Sequence, residues 1–218
     1  MTTAALAFPC FGPSSAAAED EQLRQENLAV AAGLKRQDAG LLDELILRFQ
    51  HRLLHYLLYL AGNRETAEDL FQEVWMRVIL RGAQFNGNAR FETWLFAIAR
   101  NLVIDQRRKR SMSSLDELFE VGSEDDRPVN FELADSKPTP FDHCVRIEDR
   151  ERIATALLQT DSLYREVLML RFQEELSLEE IAKVTRAPLS TVKSRLYRGL
   201  VAIRPKLERN HNRRQRRK

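Results

Sequence analysis

Asp69 and Glu73 stand four residues apart, a spacing that turns both carboxylates to one side of a helix. Such a pair can hold a magnesium ion for cutting nucleic acid. No third carboxylate or histidine supports it, so a metal-dependent enzyme is not the expected reading. His51 and His55 repeat the same spacing, but Arg48 and Arg52 are interleaved and no carboxylate or cysteine pattern lies near, so both read as solvated. His143 beside Cys144 lacks a second ligand pair, and Cys10 is far away, so no metal site is expected. The more productive chemistry is that of basic and short polar side chains against nucleic acid. Thr191, Ser194, Arg195 and Arg198 fall on one stripe, with Lys193 beside it. Arg195 or Arg198 can pair with guanine edges or phosphates, and the N–H groups of a helix start can hold a phosphate. A solvated basic face gives the same periodicity. The cationic run Arg213, Arg214, Arg216, Arg217 and Lys218 tips the balance toward phosphate contact.

The elements that must position these groups lie between Leu176 and Leu207. Ser177 with Glu180 forms a capping box that opens a short helix. Residues 185–189 interrupt it, and Pro188 disfavours helix at the residue before it. Ser190 is expected to cap the next helix. Val192, Leu196, Leu200 and Ile203 give that helix an apolar stripe. The pattern is a helix-turn-helix whose second helix enters the major groove by its N-terminal end.

A second basic stretch lies upstream. Gly82 to Ala89 is a polar loop carrying Phe85, and a helix is expected from Arg90 to Arg110. Phe91, Trp94, Leu95, Ile98 and Leu102 face its core. Thr93, Arg100, Ile104 and Arg107 form another stripe, with Asn101 and Arg108 alongside. Four consecutive cations, Arg107 to Arg110, close the helix. Interaction with the helix end accounts for one or two of them. Arginine, asparagine and a loop aromatic together suit single-stranded nucleic acid. Thr66 with Asp69 signals the start of the preceding helix, on which Asp69, Gln72 and Glu73 share a polar face. That face is either wet surface or a dock for a basic partner helix.

The chain as a whole is expected to be all-α. Glycine is sparse, with 8 in 218 residues, and the net charge of +2 conceals an asymmetry. Residues 1–40 carry −2, 41–110 carry +3, 111–150 carry −7 and 151–218 carry +8. Two basic segments flank an acidic one, as two contacts with nucleic acid require. The expected organisation is a disordered tail (1–19), a helical domain (20–110), an acidic flexible linker (111–146), a second helical domain (147–210) and a basic tail (211–218). As a coil the acidic stretch spans ~35 Å, about one turn of duplex, so the two domains can engage separate sites on one DNA. A single core burying both Asn101 and Arg195 would contradict that view. No apolar run approaches ~20 residues and no basic leader precedes the N-terminal apolar stretch, so a cytoplasmic protein without membrane insertion is expected.

Two stretches carry a resemblance. AEDLFQEVWMRV (67–78) followed by FETWLFAIARNLVIDQRRK (91–109) is similar to region 2 of bacterial RNA polymerase sigma factors of the extracytoplasmic-function (ECF) class. YREVLMLRFQEELSLEEIAKVTRAPLSTVKSRLYRGLVAIRPKL (164–207) is similar to region 4. Together they cover more than half the chain, in the family's order. The resemblance implies a factor that binds core RNA polymerase and directs promoter-specific initiation without doing chemistry itself. It implies that Asp69, Gln72 and Glu73 bind the coiled coil of the polymerase's largest subunit. It also implies that the 83–92 loop and the Trp94–Arg108 helix hold the unpaired −10 strand, through Phe85, Asn88, Arg90, Trp94, Arg100, Asn101, Arg107 and Arg108. Ser190, Thr191, Lys193, Ser194, Arg195 and Arg198 would read the −35 duplex. An anti-sigma factor is an expected further partner, and no cofactor is implied. Two departures stand out: Ser190 where the family commonly has Gly, and Gly199 and Leu200 after Arg198, where the family commonly has a small residue then Arg; Gly199 costs up to ~1 kcal/mol of helix propensity. Without the resemblance, a stand-alone helix-turn-helix regulator is the alternative.

Overall fold

The computed structural model describes the backbone of residues 14–116 and 152–215, and the side chains of 20–110 and 152–207. Among the described residues all regular structure is helical, as the composition suggests. The first half contains α1 (Ser14–Lys35), α2 (Ala39–Ala61), α3 (Arg64–Arg81), a 3-10 turn (Gly82–Gln84) and α4 (Phe91–Asp116). The second contains α5 (152–158), α6 (Ser162–Phe172), α7 (Leu178–Thr185) and α8 (Leu189–Gln215). The bounds differ from expectation at both ends of the first half. Helix begins at Ser14, inside the stretch expected to be disordered, and α4 runs six residues past Arg110. Cys10, His143, Cys144 and nearly all of the acidic stretch lie outside the described residues.

α2 is the centre of the first half. Phe49, Leu53, Tyr56 and Leu57 are fully enclosed, so its apolar face is wide. Asp38 starts it by accepting from the Leu41 N–H at 3.2 Å. It ends at Gly62, whose φ of +83° is a left-handed cap that glycine adopts without a Cβ penalty. The start of α3 corrects the sequence reading. Asn63, not Thr66, is the cap, accepting from the Thr66 N–H at 2.8 Å, and Thr66 itself is buried.

In the second half the Arg165 guanidinium fastens the α5–α6 corner. It donates to the carbonyls of Leu157, Leu158 and Thr160 at 2.9, 2.7 and 2.9 Å. Gly199 sits where α8 crosses α6. A Cβ there would lie 3.2 Å from the Leu168 side chain and 3.3 Å from Tyr164 Cβ. The glycine thus permits a close helix crossing, which offsets its propensity cost. The packed stripe of α8 includes Val192, Leu196, Gly199 and Ile203; Leu200, expected in it, is exposed.

The two halves touch. α7 packs on α4 and α6 on α2, and one apolar cluster runs through Leu95, Phe96, Val167, Ile181 and Val184. Yet Asn101 and Arg195 are only half-buried, so neither lies inside the shared apolar cluster.

Candidate nucleic-acid interface

The α7–turn–α8 unit is built as its sequence dictates, with one change. Glu180 N–H donates to Ser177 Oγ at 3.1 Å, and Ser177 N–H donates to Glu180 Oε2 at 2.8 Å, closing the capping box. Arg186 ends α7 in the left-handed region at φ +50°. The Pro188 carbonyl, rather than a Ser190 cap, then receives the Thr191 and Val192 N–H groups at 2.9 and 3.1 Å. Ser190 is therefore inside the first turn of α8 and presents its hydroxyl outward. An open groove beside that turn is lined by Leu163, Tyr164, Ser190, Thr191, Ser194, Arg195 and Arg198. Five of the six residues expected to meet duplex DNA line this one surface, and Lys193 is exposed nearby. Tyr164 and Leu163 were not expected here. They belong to α6, which no local pattern ties to α8.

The loop and α4 bring their residues together less simply. The Phe85 ring is only 5% exposed. It packs edge-on to Phe91 at 5.7 Å between centroids and tilted against Trp94 at 5.4 Å. An aromatic in a polar loop suggested a stacking surface for a base; the ring instead anchors the loop to α4. Asn88 is exposed, and Trp94 and Asn101 are half-buried, two turns apart on one face of α4. Arg90 Nη2 lies 3.4 Å from Glu92 Oε1, and its Nε is 3.8 Å from Glu180 Oε1. Thr93 Oγ1 donates to Glu180 Oε1 at 3.2 Å, and Arg100 Nε donates to Glu166 Oε1 at 2.7 Å.

The four cations are not at a helix end, because α4 continues to Asp116. Arg107 donates to the Leu60 carbonyl at the end of α2, and Arg110 to Thr66 Oγ1 at 2.5 Å. Arg108 is exposed, 3.6 Å from Asp105. Helix-end electrostatics therefore does not explain them. Two are struts, and Arg108 and Lys109 face solvent.

Asp69, Gln72 and Glu73 are all exposed on α3. Glu73 accepts from Arg77 Nε at 2.9 Å. The polar trio is continued by exposed Met76 and Leu80, giving the face an apolar end. Among the described residues no group of three or more His, Cys, Asp or Glu side chains is placed to hold a metal ion.

The Sigma-70 region 2 model matches residues 45–112, and the Sigma-70 region 4 model matches residues 150–203. The chain is 31% identical to the ECF RNA polymerase sigma factor SigW of Bacillus subtilis, over 80% of this chain and 92% of that one. This chain belongs to the ECF sigma factors. SigX of Bacillus subtilis is 33% identical over 73% of this chain and 80% of its own. The fold is shared with the sigma factor RpoE of Bartonella quintana, solved with the anti-sigma factor NepR. That likeness has a TM-score of 0.59 at 23% identity, over 76% of this chain and 96% of that one. CnrH, solved with the cytosolic domain of CnrY, matches with a TM-score of 0.58 at 19% identity, over 84% and 97% of the two chains. As a sigma factor the chain binds core RNA polymerase and directs promoter-specific initiation.

In this sigma factor the region 2 and region 4 halves meet through charge as well as apolar contact. Three region 4 carboxylates, Glu166, Glu174 and Glu180, face region 2. Glu166 takes Arg100 and, at 3.2 Å, the Tyr56 hydroxyl. Burial, then the neighbouring Glu166 charge, pushes the Tyr56 phenol well above its usual value. Glu174 is fully buried, with Arg52 Nη2 2.8 Å from its Oε2. Its Oε1 has no hydrogen-bond partner among the described residues. Burial outweighs the Arg52 charge and raises this carboxyl to about 7. Arg165 adds a bond across the halves, to the Tyr59 carbonyl at 2.6 Å. None of these pairings has a sequence signal, because each joins residues at least 66 positions apart.

Proposed function

We propose that residues 147–210 read the −35 element as duplex and residues 20–110 bind core polymerase and hold the unpaired −10 strand, tethered by the acidic stretch 111–146. The observation that carries this is the single groove at the start of α8, gathering Ser190, Thr191, Ser194, Arg195 and Arg198. A helix N-terminus with short polar and arginine side chains fits a major groove and its flanking phosphates. For the unpaired strand the candidates are Asn88, Arg90, Trp94, Arg100, Asn101 and Arg108, with Phe85 ordering the loop and Arg107 bracing α2. Asp69, Gln72 and Glu73 dock on the polymerase, with Met76 and Leu80 adding apolar contact.

In the isolated chain the −10 face is held shut. Arg90, Thr93 and Arg100 are engaged by carboxylates of the −35 half. Two promoter elements about one duplex turn or more apart require the halves to separate, so core polymerase opens the clasp as it binds. The chain catalyses nothing itself and acts in the cytoplasm. An anti-sigma protein that stabilises the closed form is the expected negative partner, by analogy with RpoE of Bartonella quintana, solved with the anti-sigma factor NepR. A stand-alone regulator is not favoured, since the region 2 half has no role in it.

The test is transcription from a promoter selected by the chain with core enzyme. Arg195→Ala or Arg198→Ala should lower its use by ~1–3 kcal/mol where a guanine pair is lost. Unchanged promoter use in both variants would overturn the assignment of this face.

A further inference from the structure

The region 2 match begins at residue 45, so α1 lies wholly outside it. One α1 side chain nevertheless reaches the start of α4. Asn27 Oδ1 accepts the Phe91 N–H at 2.8 Å, across 64 residues of sequence. Phe91 is the first residue of α4, and its N–H is one of the donors a helix cannot satisfy internally. The cap usually comes from the residue just before the helix. Arg90 stands there, and its side chain offers only donors. The Asn27 amide is itself aimed: its Nδ2 donates to the Leu23 carbonyl at 2.6 Å.

The loop between α3 and α4 leans on the same place. Gly87 adopts φ +74°, and a Cβ there would stand 3.0 Å from the Asn27 carbonyl oxygen and 3.1 Å from Leu28 Cδ2. At the loop's other end, a Cβ on Gly82 would stand 3.2 Å from Leu34 Cβ. α1 therefore touches the loop at its beginning, its middle and its end. Between and just after those points lie Asn88, Arg90 and Trp94.

We infer that Asn27 is a positioning residue for recognition of the unpaired −10 strand: it fixes the start of α4 and the loop before it without meeting DNA. A broken Asn27 bond leaves a buried Phe91 N–H unsatisfied and frees the loop to shift relative to α4. The inference rests on the assignment of this loop to the −10 strand.

Its test uses the full chain carrying Asn27→Ala or Asn27→Asp, with two readouts. The first is amide hydrogen exchange at residues 82–91 of the protein alone. The second is the rate of open-complex formation with core enzyme, on a duplex promoter transcribed by the native chain. Asn27→Ala should speed exchange and slow opening, each by about tenfold, the size of a lost cap. Exchange within α2 and α3 and affinity for core should stay within about twofold. Asn27→Asp keeps the acceptor and adds a charge that a helix start favours, so both readouts should return to within about threefold of native. Unchanged exchange in Asn27→Ala, or an Asn27→Asp chain as defective as Asn27→Ala, would overturn the positioning role alone. Faster exchange with unchanged opening would show that the loop is braced but does not serve the −10 strand, which overturns the loop assignment and the inference together.

Discussion

Arg100 Nε lies 2.7 Å from Glu166 Oε1, and the two residues belong to different halves of the chain. The carboxylate is buried, shares its oxygen with the Tyr56 hydroxyl, and neutralises a cation on the face assigned to melted DNA. A charge held this way is unavailable to a phosphate. Glu166→Gln keeps the size and removes the charge. It should raise the affinity of the isolated full chain for a single-stranded −10 oligonucleotide at least about threefold, and shift the population toward separated halves. Equal affinity in both proteins, read by fluorescence anisotropy, would count against the clasp.

Glu174 makes the closed form depend on pH. Its carboxyl is raised by burial from the usual 4.5 to about 7, with Arg52 opposing and Glu92 adding to the rise. A raised carboxyl contributes stability that is fully present below about 4.5 and is lost as pH climbs through about 7. The full effect is on the order of 3 kcal/mol. His55 acts in the opposite sense. Burial, then His51, lowers it from 6.5, so its contribution rises as pH climbs toward 6.5. Urea unfolding at pH 5 and pH 8 should show Glu174→Gln losing the downward slope, leaving the histidine rise. A variant with the native pH profile would mean that Glu174 ionises freely in the folded chain.

Arg165 satisfies four carbonyls, three in its own corner and the one of Tyr59 on α2. Arg165→Met should cost ~2–4 kcal/mol in urea unfolding, because the carbonyls lose a charged donor. Arg165→Lys should recover less than half of this, since an ammonium cannot span the fork geometry. Full recovery by lysine would show that charge alone matters there.

The exposed face of α3 carries the docking prediction. Asp69→Ala with Glu73→Ala should weaken association with core enzyme about tenfold or more, and Met76→Ala should add to it. The isolated chain should unfold as before, because these side chains are exposed. Core binding at native strength in the triple variant would reduce this stripe to ordinary surface.

What was legible in the sequence follows the range of the forces involved. The capping box of Ser177 and Glu180 and the outward stripe of α8 are set within a few residues, and each appears as expected. Interactions between distant residues were not legible. Phe85 looked like a free ring because its partners Phe91 and Trp94 lie across a loop whose path the sequence does not fix. Gly199 looked like a cost because its benefit, a close approach to Leu168, belongs to another helix. Arg107 looked like part of a cationic patch because the carbonyl it holds is 47 residues away. Glu166 and Glu174 carry no local pattern, and the capping role of Glu180 gives no sign of its contact with Thr93.

The separation of the halves is the claim on which the rest depends, and distance measurement between them tests it most directly. Spin labels at exposed Glu68 of region 2 and Lys183 of region 4, on the full chain, report it by pulsed electron resonance. The clasp predicts one narrow, short distance for the chain alone, and a longer distance once core RNA polymerase is added. The same distribution before and after core enzyme, or a broad one in the free chain, would contradict it.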